Sequence, residues 1–186
     1  SLLSKHQNVS SILKGLINNY INYLPGFGNS LGIINLNDVI NVYNIPNEFS
    51  FKLVTLNRTW HLIATSQKEK DEWLKHLSFI PPFTILHCGW ISKQGDFIRN
   101  WKPRYMLLCP TFIFYFVDKQ SSHKFVANAT GGKDLEGLWQ GYIPFDAKVK
   151  LREVGLYEHN EVVFALDVKC YKGGSDRTFC IALPED

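Results

Sequence analysis

The chain has 186 residues, a formal net charge of +3 and a pI near 8.6. Its 45% hydrophobic and 20% charged content excludes a disordered chain and fits a globular one. The mild charge excludes a dedicated nucleic-acid binder, which needs a basic domain and aromatic stacking platforms among basic residues. Divided at 82/83, the chain carries seven basic and five acidic residues before the cut and thirteen and twelve after it. Positive potential is therefore positional, a local patch suited to one anionic group.

Residues 1–24 are expected to be helical, with Val9, Ile12, Leu13, Leu16, Ile17, Tyr20, Ile21 and Leu24 recurring at three and four. A packing helix is favoured over a membrane-surface one, because Lys5 and Lys14 make a thin basic face. Pro25 to Asn29 ends it. Three strands are expected next, Leu31 to Tyr43, Phe49 to Leu56 and Thr59 to Thr65, the last two joined by a two-residue turn at Asn57-Arg58. Ser66 to Ile80 is the best-marked helix. Ser66 with Glu69 forms a capping box, Trp73, Leu74, Leu77 and Ile80 make its buried stripe, and Pro81-Pro82 stops it.

Seven short strands follow: Leu86 to Lys93, Trp101 to Cys109, Phe112 to Val117, Leu138 to Ile143, Lys148 to Val154, Val162 to Lys169 and Arg177 to Ala182. Their aromatic and β-branched content suggests a bent sandwich or partly open barrel. The polar stretch Asp118 to Glu136 reads as a long mobile loop. Within the first hairpin, Lys102 and Arg104 are two apart and share a face. An antiparallel partner brings Lys93 beside them, Arg99 lies on the loop, and Asp96 is the single acid. The result is an anion site at a hairpin mouth.

Those residues resemble the first two strands of a pleckstrin-homology (PH) domain, in particular that of the protein kinase B family. The likeness lies in Gly89-Trp90, Lys93, Gly95, Asp96-Phe97 and Trp101-Lys102-Pro103-Arg104-Tyr105, and again in Arg177-Thr178-Phe179 and Pro184-Glu185-Asp186. Lys93, a short gap, Lys102, one spacer and Arg104 follow the family's phosphoinositide signature. The resemblance covers about residues 85 to 186. More loosely, residues 31–80 resemble the C-terminal part of another PH domain. The expected fold is mostly β with a capping helix: a PH-like seven-stranded bent sandwich or partly open barrel, preceded by a partial PH-like unit. The expected organisation is a helical segment at 1–29, a partial PH-like unit of three strands and a capped helix at 30–82, and a PH domain lacking its own C-terminal helix at 83–186.

The resemblance implies a phosphoinositide headgroup bound by Lys93, Arg99, Lys102 and Arg104, with Arg177 reaching the same pocket from the last strand. Phosphate recognition needs converging Arg and Lys donors, because charge-assisted bonds to phosphate are short and strong. The bland alternatives are a solvated basic face and, for Arg177, a strand-edge charge. Phe97 stands where the family has a tyrosine, and the family's asparagine contact has no match in Tyr142 to Ala147. Phe97 and Ile98 at the loop tip are candidates to enter the bilayer interface, with loop packing as the alternative.

Catalysis is not expected in this segment. His87-Cys88 is the only adjacent His/Cys pair, and no orienting group accompanies it. No spacing suggests a metal or other cofactor, and Gly26-Phe27-Gly28 is a lone turn rather than a phosphate loop. Cys88, Cys109, Cys170 and Cys180 read as reduced, packed thiols, with a Cys170–Cys180 cross-strand disulfide as the alternative. No apolar run approaches the roughly 18 residues of a membrane span, and no signal peptide is read at the N-terminus. The single Met and the start at Ser1 suggest a fragment of a longer protein. The expected function is a phosphoinositide-binding membrane-recruitment module of a larger cytoplasmic signalling protein, such as a kinase. The alternative is a PH-fold protein-interaction or autoinhibitory module, with a protein partner or an intramolecular catalytic domain in place of lipid.

Overall fold

A computed structural model describes residues 33–95, 99–144, 149–156, 162–169 and 174–183, and the backbone alone at 20–23 and 32. The chain divides into two compact units, Ser1–Val39 and Ile40–Asp186.

In the first unit, β1 (Tyr20–Tyr23) pairs antiparallel with β2 (Gly32–Asn35), from Tyr20↔Asn35 to Tyr23↔Gly32. The helix expected over 1–24 is thus corrected at its end, where Tyr and Ile among asparagines prefer a paired strand to a helix. Residues 1–19 lie outside the described ones. The single strand expected from Leu31 to Tyr43 is also corrected, being broken by a 3-10 turn at Leu36–Asp38. The Asn35 side chain accepts the Asn37 N–H at 3.0 Å there, a local bond that competes with the strand ladder.

The second unit opens with a three-stranded sheet, β3 (Val39–Asn44, which crosses the unit boundary), β4 (Ser50–Thr55) and β5 (Thr59–Ile63), in the order β3-β4-β5. The β4–β5 connection is longer than expected. Val54 pairs with Thr59, Thr55 N–H donates to Arg58 O, and Leu56 turns inward, 2% exposed. Helix α1 (Gln67–His76) begins at Ser66, whose hydroxyl accepts the Glu69 N–H at 3.2 Å. The Glu69 carboxylate reaches back to the N–H and hydroxyl of Thr65, one residue earlier than a capping box implies. Leu77 and Ile80 are buried, and Trp73 packs on Phe51 with ring centres 6.5 Å apart. The buried residue inside the helix is Lys70, whose ammonium donates to Ile45 O and Glu48 O, each at 2.7 Å. It ties α1 to the β3–β4 connection.

Seven strands then form one antiparallel sheet. They are β6 (His87–Gln94), β7 (Trp101–Leu108), β8 (Phe112–Phe116), β9 (Gly141–Pro144), β10 (Val149–Leu156), β11 (Val162–Val168) and β12 (Arg177–Leu183), in the order β10-β11-β12-β6-β7-β8-β9. The β12–β6 seam is short, with Ile181↔Lys93 and Ala182↔Ser92, and there the sheet bends over itself. Ile91, Met106, Ile113 and Ile143 from one half share a buried cluster with Leu166, Val168, Phe179 and Ile181 from the other. This mostly β, PH-like bent sandwich is the expected fold.

The outer face of β7 and β8 is also buried. Alternation sends Tyr105, Leu107, Phe112, Phe114 and Phe116 to that side, where they cluster with Phe125, Ala129 and Leu135 and with Ile40, Val54 and Leu56 of the three-stranded sheet. This overturns the reading of Asp118 to Glu136 as a mobile loop. Residues Lys119–Thr130 are helix α2, capped by Asp118, whose carboxylate accepts the Ser121 N–H at 2.7 Å. Ser122, Phe125 and Ala129 form its buried side. Its far end is fastened to the three-stranded sheet by Asn41 Nδ2 to Ala129 O (3.0 Å), Lys52 Nζ to Gly132 O (3.2 Å) and Thr59 N–H to Asp134 (2.6 Å). Gly132, with φ +64°, lies where a Cβ would stand 2.8 Å from the Tyr43 ring, so both the backbone angle and the space call for glycine.

The described cysteines Cys88, Cys109 and Cys180 are free thiols, and Cys170 lies outside the described residues. Burial pushes the Cys109 thiol up to about 12, whereas Cys88 is exposed and accepts the Tyr105 hydroxyl at 3.3 Å. Because the thiolate is the reactive form, a thiol reagent at pH 8 is expected to modify Cys88 at once and Cys109 only on unfolding. Mass mapping of the labelled peptides checks this, and rapid native labelling of Cys109 would contradict its packing.

Candidate functional site

The β6–β7 hairpin pairs Lys93 with Lys102 directly, Gln94 with Trp101 and Ile91 with Arg104. Ile91 and Met106 belong to the inner core, so alternation places Lys93, Lys102 and Arg104 on that same inner face. They leave the core at its open end, where Gly95 N–H donates to Asn100 O and closes the hairpin loop. A pocket of about 230 Å³ opens there, lined by Lys93, Gln94, Gly95, Lys102, Arg104, Tyr115 and Gln140. Among the described residues, three cations and no carboxylate line it.

The three cations are held differently. Lys93 is 7% exposed. Its stem is buried, and its ammonium donates to Gln94 O at 3.0 Å while lying 5.2 Å from the Tyr115 ring centre and 5.6 Å from that of Phe179. The aromatic faces favour a desolvated cation there. Arg104 is half-buried and donates from Nη1 to Pro103 O at 2.7 Å, which fixes its guanidinium at the rim. Lys102 is exposed. Such a cluster suits a multiply charged oxyanion: an aimed guanidinium can give two parallel bonds, and the lysines add point charges.

Arg99 is exposed on the loop and Arg177 is half-buried. Neither lines the pocket. Arg177 shares the face of Phe179 and Ile181 and lies over the Phe179 ring at 4.4 Å. The direction of the Ile181↔Lys93 pairing carries it past Lys93 toward the 95–100 loop. Asp96, Phe97 and Ile98 fall outside the described residues, as do 145–148, so the loop-tip reading and part of the sought asparagine region lie there too.

Sequence reading missed Tyr115 and Gln140. Tyr115 was accessible through alternation, since it lies two residues from the inner Ile113 on β8. Gln140 precedes β9 and had no local signal; its N–H donates to Tyr115 O at 3.0 Å. Tyr115 pairs with Gly141, and a Cβ there would stand 2.0 Å from the Tyr115 hydroxyl. Because the clash is with the far end of a side chain, Gly141→Ala is expected to swing the ring rather than unfold the sheet. Affinity of the pocket for a multiply charged oxyanion should fall about tenfold while the thermal midpoint moves little, well short of an overpacked core that loses about 1–3 kcal/mol. Calorimetric titration with a soluble inositol phosphate reads this. Unchanged affinity would show that Tyr115 is no part of the binding surface.

No family model matches the chain. Among solved structures it is similar to the C-terminal PH domain of pleckstrin in complex with D-myo-Ins(1,2,3,5,6)P5, at 19% identity and a TM-score of 0.36, covering 55% of this chain and 81% of that one. It is also similar to the Slm1 PH domain in complex with inositol-4-phosphate, at 16% identity and a TM-score of 0.36, covering 56% and 85%. Those ligands belong to those proteins, and likeness at this level bears on neither ligand nor partner here. The PH-like fold rests on the strand order, the register and the shared core.

Proposed function

We propose that this chain is a phosphoinositide-binding module that recruits a larger cytoplasmic signalling protein to the membrane, the parent being a kinase or another signalling enzyme. The segment itself acts by binding and not by catalysis. The observation that carries the reading is the Lys93↔Lys102 pair with Arg104 one step along the same face, gathered around one pocket with no carboxylate among its described lining residues. Lys93, Lys102 and Arg104 clamp ring phosphates, and Arg99 and Arg177 assist from the rim. No helix among the described residues is long and apolar enough to cross a membrane, and a headgroup reader needs none. Protein docking at the same mouth is the competing reading. It would be favoured if residues 40–82 covered the mouth, but none of the pocket's lining residues comes from that segment.

The test is liposome co-sedimentation across the phosphoinositide isomers, with wild type beside the Lys102→Ala/Arg104→Ala double variant. Binding to one or a few isomers, lost in the variant, is the expected result. A folded wild type that binds no isomer would sink the lipid reading and turn attention to protein docking.

A further inference from the structure

The last strand carries a buried ring with two cations against it. Arg177, Phe179 and Ile181 alternate onto the inner face of β12, and Phe179 and Ile181 belong to the inner core. Phe179 pairs directly with Leu166 on β11 and is 1% exposed, so register and packing fix its ring. The Lys93 ammonium lies 5.6 Å from the ring centre and the Arg177 guanidinium 4.4 Å from it. At both distances the negative face of an aromatic ring attracts a cation. Lys93 lines the pocket, whereas Arg177 and Phe179 do not. The ring therefore stands behind the pocket, between a cation of its wall and a cation of its rim. Two positive groups brought to one ring repel each other, and each ends a long stem with many rotamers. An anion that met them loose would have to order both, at a factor of about 2 to 10 in affinity for each. A fixed ring that attracts both removes part of that cost before the anion arrives. Lys93 is also held by Gln94 O and the Tyr115 ring, so the smaller share of the effect falls on Lys93 and the larger on Arg177.

We infer that Phe179 is a positioning residue of the oxyanion pocket: its ring holds Lys93 and Arg177 close enough together for one multiply charged anion to meet both. The inference rests on the pocket reading and adds a residue that acts through two cations without touching the anion. Removing the ring loosens both cations at once, and the combined loss is about tenfold in affinity. A leucine at 179 keeps the site apolar but offers no aromatic face. A tyrosine keeps the face. The two substitutions therefore separate a ring that holds cations from a side chain that only fills the core.

The experiment titrates inositol hexakisphosphate by calorimetry at low ionic strength, where charge contacts are strongest. Wild type, Phe179→Leu and Phe179→Tyr are compared. Phe179→Leu is also made in a Lys93→Met/Arg177→Gln background, which keeps Lys102 and Arg104 to bind the probe. Thermal midpoints are recorded first, and Phe179→Met, whose flexible side chain fills irregular space, replaces the leucine variant if that one unfolds. The leucine variant is expected to bind about tenfold more weakly than wild type, and the tyrosine variant within about twofold of it. In the background without the two cations, the same leucine change should cost less than about twofold. If the leucine variant binds as wild type does, the positioning role is overturned and the pocket reading stands. A loss of equal size in both backgrounds, or in the leucine and tyrosine variants alike, also overturns it, because the side chain then acts through packing. A folded wild type that binds no inositol hexakisphosphate removes the pocket reading and this inference with it.

Discussion

Replacing Lys102 and Arg104 together by alanine is expected to reduce binding to phosphoinositide vesicles by at least about 100-fold while leaving the fold intact. A hydrogen bond to a charged group contributes about 1.5–3 kcal/mol. Lys102 is exposed and Arg104 stands at an open rim, so solvent screening favours the lower end of that range for each. Two such losses still amount to about 3 kcal/mol, which is roughly 100-fold. Neither side chain belongs to the buried core, so the thermal midpoint should stay close to that of wild type. Wild-type binding should also weaken as salt rises, because charges more than about 10 Å apart are screened at 0.1 M ionic strength. Lys93 is a poorer first target. Its ammonium is buried between two rings and bonded to Gln94 O, so its removal mixes a packing loss with a binding loss. A double variant that still bound one isomer as wild type does would place the site elsewhere.

The second large effect is expected at Phe125, in the stretch that reads as loop. Phe125 is fully buried, with ring centres 4.5 Å from Phe114, 5.3 Å from Phe116 and 6.0 Å from Phe83. Truncating a buried phenylalanine costs about 3–5 kcal/mol in lost transfer energy and residual cavity, a large share of the roughly 5–15 kcal/mol that holds a domain folded. Phe125→Ala should therefore lower the urea midpoint sharply. It should also loosen the attachments at the far end of α2, since the same helix carries the bond from Asn41 to Ala129 O and leads into the bonds from Lys52 to Gly132 O and from Thr59 N–H to Asp134. The neighbouring His123 is exposed, and His123→Ala should move stability by no more than about 0.5 kcal/mol. A Phe125→Ala protein within about 1 kcal/mol of wild type would mean that α2 is not packed on the β7–β8 face.

Several features were legible in the chain because they depend on neighbours close in sequence. Alternation along Trp101 to Leu108 put Lys102 and Arg104 on one face, and one hairpin was enough to bring Lys93 opposite. Ser66 and Glu69 announced the start of α1, since a cap is made by residues three apart. Strands β6 to β8 and β11 to β12 fell within a residue or two of where their aromatic and β-branched runs placed them. Other features needed the rest of the molecule. Helix α2 carries only one large apolar residue that is fully buried, and the remainder of its buried side is Ser122 and Ala129, so its stripe looked polar. Its helical state is decided by the aromatic face of β7 and β8 that it covers. The run Phe112 to Phe116 read as a strand, but nothing local named its partners, which include Ile40, Val54 and Leu56 from well upstream. Tyr115 and Gln140 line the pocket through the β8–β9 register, and Arg177 lies over the Phe179 ring, off its wall. Local rules thus determined which residues could form an anion site. Long-range burial and strand register decided which of them meet, and what stands beside them.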